Sequence, residues 1–520
     1  MFAQKDDISE ADLHHGLKML LLDGVNAQMM GVLTGGAFLV AFALLLGASN
    51  VVIGLLAAVG PFAQILQIPS IFLVEKVRMR KMLTITSAFF GRIVWIPIAL
   101  LPWFPENLRI SLFITAIFIY FSLGALTACA WNSWMRDLIP EKILGSYFAK
   151  RMAIATALGA VLSFFAGIGV DVWKTRFEEI NAYVILFIIG VLSGMVSLGY
   201  LSRVPEPRMP KGNISRGIVH MLSEPFKDRN FRQLLIFLGT WSFSVTLAAT
   251  FFVVYMIARL KLSMTWVLGL SVLSQFMNVI FYPLWGRLAD RFSNKSVLAA
   301  SGPIFTLCTL LWVLTTMPDA YFLTIPLLIF IHVLTGISTA GINIAAGNIA
   351  LKAAPRGKAT SYLATNALVC GIAATIAPVL GGFAADWFAN QKIDVILTWT
   401  HKGRGAFQLP ALSLEGLDFV FISSFIFGFF ALRQLVFVKE EGEVEEKVVM
   451  AHFYVTVRQA LRHISNIAGL RHLTYFPFAI LRTSKRRNVK NPVQAKLPAM
   501  EKKENSETNK IESKDSEKNP

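Results

Sequence analysis

Cysteine is nearly missing from this 520-residue chain: Cys129, Cys308 and Cys370 are the only three, each in or at the end of an apolar run. They show no paired spacing, which argues against both a disulfide framework and a cysteine-based metal cluster. A nucleotide loop of the Gly-Lys-Thr kind, a nucleophile–base grouping and a metal-ligand cluster are missing as well. The chain therefore reads as no enzyme and as needing no cofactor, and ATP-driven pumping would require another subunit. The first eighteen residues are charged and polar, without the n-region, h-region and cleavage pattern of a secretory signal. The first apolar run is thus expected to be retained as a span. Charge is scarce overall, at 16% of residues.

Apolar residues make up 55% and aromatics 12%, with a mean hydropathy of +0.58. A crossing of a hydrocarbon core roughly 30 Å thick needs about 20 mostly apolar helical residues whose backbone bonds close internally. Twelve runs meet that need: about 19–46, 50–73, 82–101, 109–130, 148–170, 181–201, 232–257, 265–285, 296–316, 321–342, 360–385 and 416–438. The expected fold is an all-α polytopic membrane protein of twelve transmembrane helices. The net charge of +17 follows topology: Lys and Arg gather in the loops after spans 2, 4, 6, 8 and 10. That bias predicts cytoplasmic loops there and both termini in the cytoplasm. Anionic lipid headgroups, rather than nucleic acid, are the expected partner of the inside loops and the basic tail.

Moving the first half forward by 215 positions brings several features together. Glu75-Lys76 falls on Asp290-Arg291, Arg80 on Lys295, Pro140 on Pro355, Ser146-Tyr147 on Ser361-Tyr362, Gly167 on Gly382 and Asp171 on Asp386. One constant offset across separated regions indicates a repeat, and thus two pseudo-symmetric six-helix bundles in the same orientation. The expected organisation is an N-terminal segment 1–18, a bundle 19–202, a Pro-rich cytoplasmic linker 203–231, a second bundle 232–438 and a tail 439–520. A short surface helix is expected in the later part of the linker, and a basic amphipathic helix over 451–468 ahead of a charge-rich tail.

The stretch GRLADRFSNK, Gly286 to Lys295, resembles the loop signature of the major facilitator superfamily, G-x-L-A-D-R-x-G-R-K. Gly286, Leu288, Ala289, Asp290, Arg291 and Lys295 match, while Ser293 and Asn294 depart from it; the first-half copy, IFLVEKVRMR, keeps Glu75, Lys76 and Arg80. APVLGGFAAD, Ala377 to Asp386, also looks like a Gly-Pro and Gly-Gly helix motif of that family. The resemblance covers about residues 15–438 and implies a transporter of solutes. It also implies that the loop carboxylate, Asp290 and in the other half Glu75, controls movement of the halves. A carboxylate at a helix mouth can accept bonds from orphan N–H groups, and its neighbouring cations can bind facing carboxylates or phosphates. Arg136, Asp137 and Arg151 are candidate partners for the Glu75 loop; headgroup anchoring beside Trp131 and Trp134 is the alternative.

Polar groups inside spans are costly unless paired or wet, so they are candidates for solute or coupling-ion contact. Arg92, near the middle of span 3, and His332, at a similar depth in span 10, would suit an anionic or hydrogen-bonding solute. Asp23, Asn26 and Thr34 share one face of span 1, and Asp23 is the candidate for proton or sodium coupling. Gln64, Gln67, Gln275, Asn278, Asn343, Asn348 and Asn366 could line the same passage or could equally join helices through buried hydrogen bonds. The expected function is secondary active or facilitative transport of a small solute, with an anion as one option, by alternating access in the plasma membrane (inner membrane where there are two). A monomer is expected. The competing readings are a lipid or lysolipid flippase on the same scaffold and a transporter-like receptor that binds without transport.

Overall fold

In the computed structural model the described residues are 4–6, 8–209, 222–316, 320–355, 359–401, 405–440 and 448–456. Residues Met1–Met450 form one compact unit and Ala451–Pro520 another, of which 451–456 are described, as helix. The rest of the expected amphipathic helix and tail, and residues 210–221 of the linker, lie outside the described residues. Among those described, eleven helices are long and apolar enough to cross a membrane, or twelve if one pair bent by 47° is a single span. They are α1 (Glu10–Leu45), α2 (the pair Asn50–Gln64 and Pro69–Val77), α3 (Arg80–Trp103), α4 (Glu106–Leu138), α5 (Lys150–Trp173), α6 (Glu179–Leu201), α7 (Arg229–Arg259), α8 (Met264–Arg291), α9 (Asn294–Thr315), α10 (Thr324–Ala353), α11 (Ser361–Phe388) and α12 (Leu417–Leu435).

Local chemistry sets the ends. α1 begins at Glu10, well before the apolar run at 19, because Ser9 accepts the Asp12 amide at 3.1 Å as an N-cap. α7 begins where Asp228 accepts the amides of Asn230 and Phe231 at 2.9 and 3.0 Å. α1 is interrupted at Gly35, and Gly36 takes φ +54, a left-handed conformation that suits glycine. α2 bends between Gln64 and Pro69, with Pro61 in its first leg.

Phe165, Leu192 and Phe429 are large apolar side chains left exposed, the arrangement expected of helices that meet lipid tails. The main core joins both halves of the chain. Phe42 packs on Phe187 at 4.9 Å and Trp95 on Phe187 at 5.2 Å, while Phe252 stacks on Trp312 at 4.5 Å and Tyr255 meets Phe421 at 5.3 Å. A separate cluster of Leu20, Trp134, Met135, Leu138 and Leu201 belongs to the first half alone, on the face that carries the start of α1. We call this the terminal face.

The all-α expectation holds for the membrane-spanning part, and two small β pairings accompany it. Lys392–His401 and Gly405–Glu415 form an antiparallel hairpin before α12, and Gln4–Lys5 pairs in parallel with Glu206–Pro207. The first strand, with Ile393, Val395, Ile396, Thr398, Trp399 and Thr400, is rich in β-branched and aromatic residues, which favour a pleated conformation over helix. Asp394 and Ser413 face each other in the ladder. The Ser413 hydroxyl donates to Asp394 at 2.7 Å and holds its carboxyl below the usual range, assisted by Lys392.

Candidate functional site

A cavity of about 730 Å³ lies between the halves, lined from α1, α2, α4, α5, α7 and α8. One wall is the interruption in α1: Gly31, Val32, Gly35, Gly36, Ala37 and Phe38 all border it. Across the break Leu39 N–H reaches Gly35 O only at 3.4 Å. An interrupted helix leaves backbone donors and acceptors short of partners, tolerated in a membrane where they face a cavity. Gln28 stands on the same wall beside Gly159, where an added Cβ would lie 3.2 Å from the Gln28 side chain. Thr156, Ser163, Thr250, Ser271 and Gln275 complete the polar lining, and among the described residues no Asp, Glu, Lys, Arg or His borders the cavity. Its volume falls in the usual range of small-molecule pockets, roughly 300–1,000 Å³.

Gln275 is the one sequence-proposed ligand found on that lining. Arg92 lies elsewhere, as a tie between α3 and α6. Its Nη1 donates to the Gly194 carbonyl and its Nη2 to Ser197 Oγ at 3.1 Å. Ser197 in turn donates to Asp23 Oδ1 at 2.6 Å, and Arg151 approaches Asp23 Oδ2 at 3.4 Å. Gly24 makes room for that guanidinium, which also sits 5.2 Å over the Trp131 ring. Asn26 is held in the same seam, its carbonyl accepting Ser193 Oγ at 3.1 Å, and Thr34 donates back to Met30 O. The polar face of α1 thus points at α6 of its own half. The cavity meets the small-residue face instead.

His332 is buried in the second half, Nδ1 at 2.8 Å from Leu328 O and its ring 5.5 Å from Trp312. Gln64 and Gln67 bond each other beside the bend in α2. Asn343 donates to Tyr282 OH at 3.4 Å, and Asn366 Oδ1 lies 3.6 Å from Cys370 Sγ. Neither they nor Asn278 and Asn348 border the cavity. The pairing of Arg92 and His332 around an anion is therefore not what the structure forms, because each finds its acceptors within its own half.

On the terminal face, the two charged loops are built alike. Arg80 is fully buried, bonded to Asp137, to the carbonyls of Ser133 (3.0 Å) and Pro207 (2.8 Å), while its own N–H donates to Glu206 at 2.7 Å. Lys295, 215 residues on, donates its N–H to Glu440 at 2.7 Å, and Asn294 Nδ2 donates to the same carboxylate at 2.7 Å. Glu206 and Glu440 each stand five residues past the end of α6 or α12. These contacts tie the third helix to the sixth within a half. Arg80 and Asp137 accordingly act inside one half, and Arg151 pairs with Asp23 rather than with the Glu75 loop. Lys76, Arg136 and Asp290 are exposed, Glu75 is partly so, and Arg291 lies 5.5 Å over Phe292. A Cβ at Gly286 would make only ordinary contact with Ile344, at 3.9 Å, so packing does not demand glycine there.

The opposite face carries contacts between halves that sequence reasoning matched but did not assign. Asp386, near the end of α11, accepts Asn50 N at 3.2 Å, Asn50 Nδ2 at 2.8 Å and Val51 N at 3.1 Å. Asp171, near the end of α5, accepts Met264 N at 3.0 Å and Thr265 N at 2.7 Å.

The Major Facilitator Superfamily pattern matches residues 25–378 and 263–480. No curated protein matches the chain. Among solved structures, the nucleoside transporter NupG superposes with a TM-score of 0.60 at 13% identity, covering 82% of this chain and 100% of that one. A bacterial homolog of the human lysosomal transporter Spinster, inward-facing and unoccupied, gives 0.60 at 14% identity over 84% and 100%. A bacterial homologue of the iron transporter ferroportin, also inward-facing, gives 0.57 at 12% identity over 84% and 100%. At such identities the likeness is one of fold.

Proposed function

Since the chain belongs to the Major Facilitator Superfamily, whose members are transporters and not enzymes, we propose that it carries a small uncharged solute across the membrane by alternating access. The observation that carries the reading is a cavity between the halves with no ionisable side chain on its lining among the described residues. An anion entering it would surrender hydration without meeting a cation, a cost of several kcal/mol for a desolvated charge. An uncharged molecule with an apolar body and a few hydrogen-bonding groups would find Gln28, Gln275, four hydroxyls and the opened turn of α1. Two six-helix bundles would rock about this cavity, a reading supported by the 215-residue offset that relates their contacts. The basic loops support a cytoplasmic terminal face, and the inward-facing relatives support an inward-open state. Asp23, bonded by Ser197 and Arg151, is the residue we assign to proton or sodium coupling.

Reconstituted protein should show counterflow of at least one neutral solute from a panel of size-matched neutral and anionic compounds. Gly159→Leu, which fills the space beside Gln28, should reduce that counterflow at least tenfold. Movement confined to anions would overturn the charge assignment. Lipid translocation without solute counterflow would support the flippase, and binding without counterflow the receptor.

A further inference from the structure

We propose that Asp171 and Asp386 are paired latches that hold the face opposite the termini shut, each carboxylate capping a helix of the other half. The proposal rests on the alternating-access reading and adds the contacts that must break for that face to open. The geometry is repeated in detail. α2 and α8 each start after a serine, Ser49 or Ser263, which serves one amide of its own helix, Val52 or Trp266, at 3.4 Å. The two preceding amides, Asn50 and Val51 in α2 and Met264 and Thr265 in α8, go to the carboxylate from the opposite half. A negative charge at a helix N-terminus is stabilised both by the orphan N–H groups and by the helix dipole. Both oxygens of each carboxylate are used, so an asparagine amide could satisfy only one side of the contact.

One turn before each aspartate a glycine lets the backbones meet. A Cβ at Gly382 would stand 2.5 Å from Asn50 O and 2.8 Å from Val51 Cα, and one at Gly167 would stand 2.7 Å from Leu268 Cδ1 and 3.3 Å from Met264 O. Gly167 and Gly382, like Asp171 and Asp386, are 215 residues apart. Five side-chain hydrogen bonds join described residues of the two halves on this face. Opening would hand the same amides to water, so the latch is a local exchange that biases the two states without joining them permanently.

Spin-label distance measurements without solute test this, on full-length protein with Cys129, Cys308 and Cys370 replaced by serine. One label pair goes at Glu106 and Phe322 on the latched face and another at Asn132 and Leu351 on the terminal face, all exposed positions. In the D171N/D386N variant the first separation should lengthen and the second shorten, with the ratio of outward-open to inward-open protein rising on the order of tenfold. Gly382→Val should move both pairs in the same direction by wedging α11 from α2. If the wedge shifts both pairs and the asparagine variant, still monodisperse, shifts neither, the latch is wrong and alternating access stands. If neither variant moves either pair, both are wrong.

Discussion

Arg92→Leu separates a structural tie from a solute ligand. Arg92 makes two charge-assisted hydrogen bonds, to Gly194 O and to Ser197 Oγ, and through Ser197 it is linked to Asp23. Bonds of this kind contribute about 1.5–3 kcal/mol each, and removing one member of a buried charged network costs about 3–5 kcal/mol. Leucine recovers part of that through apolar burial, so a net loss of about 3 kcal/mol is expected. At about 2–4 °C per kcal/mol in domains of 150–250 residues, and less in larger ones, the melting temperature should fall on the order of 5 °C. Arg92→Lys keeps the charge but not the planar fork and should lose about half as much. Thermal unfolding in detergent, with equilibrium binding of a transported solute on the same preparations, reads both quantities. The dissociation constant should stay within about twofold, because Arg92 does not border the cavity. An unchanged melting temperature with binding weakened about tenfold would refute the reasoning and return Arg92 to the solute site.

Three other perturbations follow from the same contacts. Asp290→Asn should slow transport while leaving solute binding and thermal stability alone, since Asp290 is exposed in this state; normal transport at equal expression would remove its gating role. Glu440→Gln should speed hydrogen exchange at the Lys295 amide, which donates to that carboxylate at 2.7 Å, by roughly fivefold for a cap contribution near 1 kcal/mol; unchanged exchange would contradict the cap. Asp23→Asn should abolish uptake driven by acidification, and full pH-driven uptake in that variant would reject Asp23 as the proton carrier.

The spans were legible because lipid leaves a chain few ways to satisfy its backbone, and about twenty apolar residues in a row express that constraint directly. The 215-residue offset was also legible. It singled out Gly167, Gly382, Asp171 and Asp386, although their contact with the other half becomes visible only when α5 meets α8 and α11 meets α2. The cavity was harder to read for a geometric reason. With 3.6 residues per turn, Gln28 lies about 140° around α1 from Asp23, so the conspicuous polar face and the cavity face are different surfaces. Polar residues in the spans mostly found partners within their half, as Arg92 and His332 did, while the cavity took small and apolar residues that carry little sequence signal. The hairpin at Lys392–Glu415 left little trace in the sequence, since strands outside the spans add nothing to a hydropathy reading and the second one, GAFQLPALSLE, has no β-branched residue.

The most direct test of the central claim places a single cysteine at Ser271, on the cavity wall, in protein otherwise free of cysteine. A membrane-impermeant maleimide is then added to one side of sealed proteoliposomes of known orientation, or to the other. Labelling is expected from both sides, slowed on both by a transported neutral solute, with labelling from the face opposite the termini accelerated by D171N/D386N. Labelling from one side alone, under every condition and in every variant, would contradict that claim.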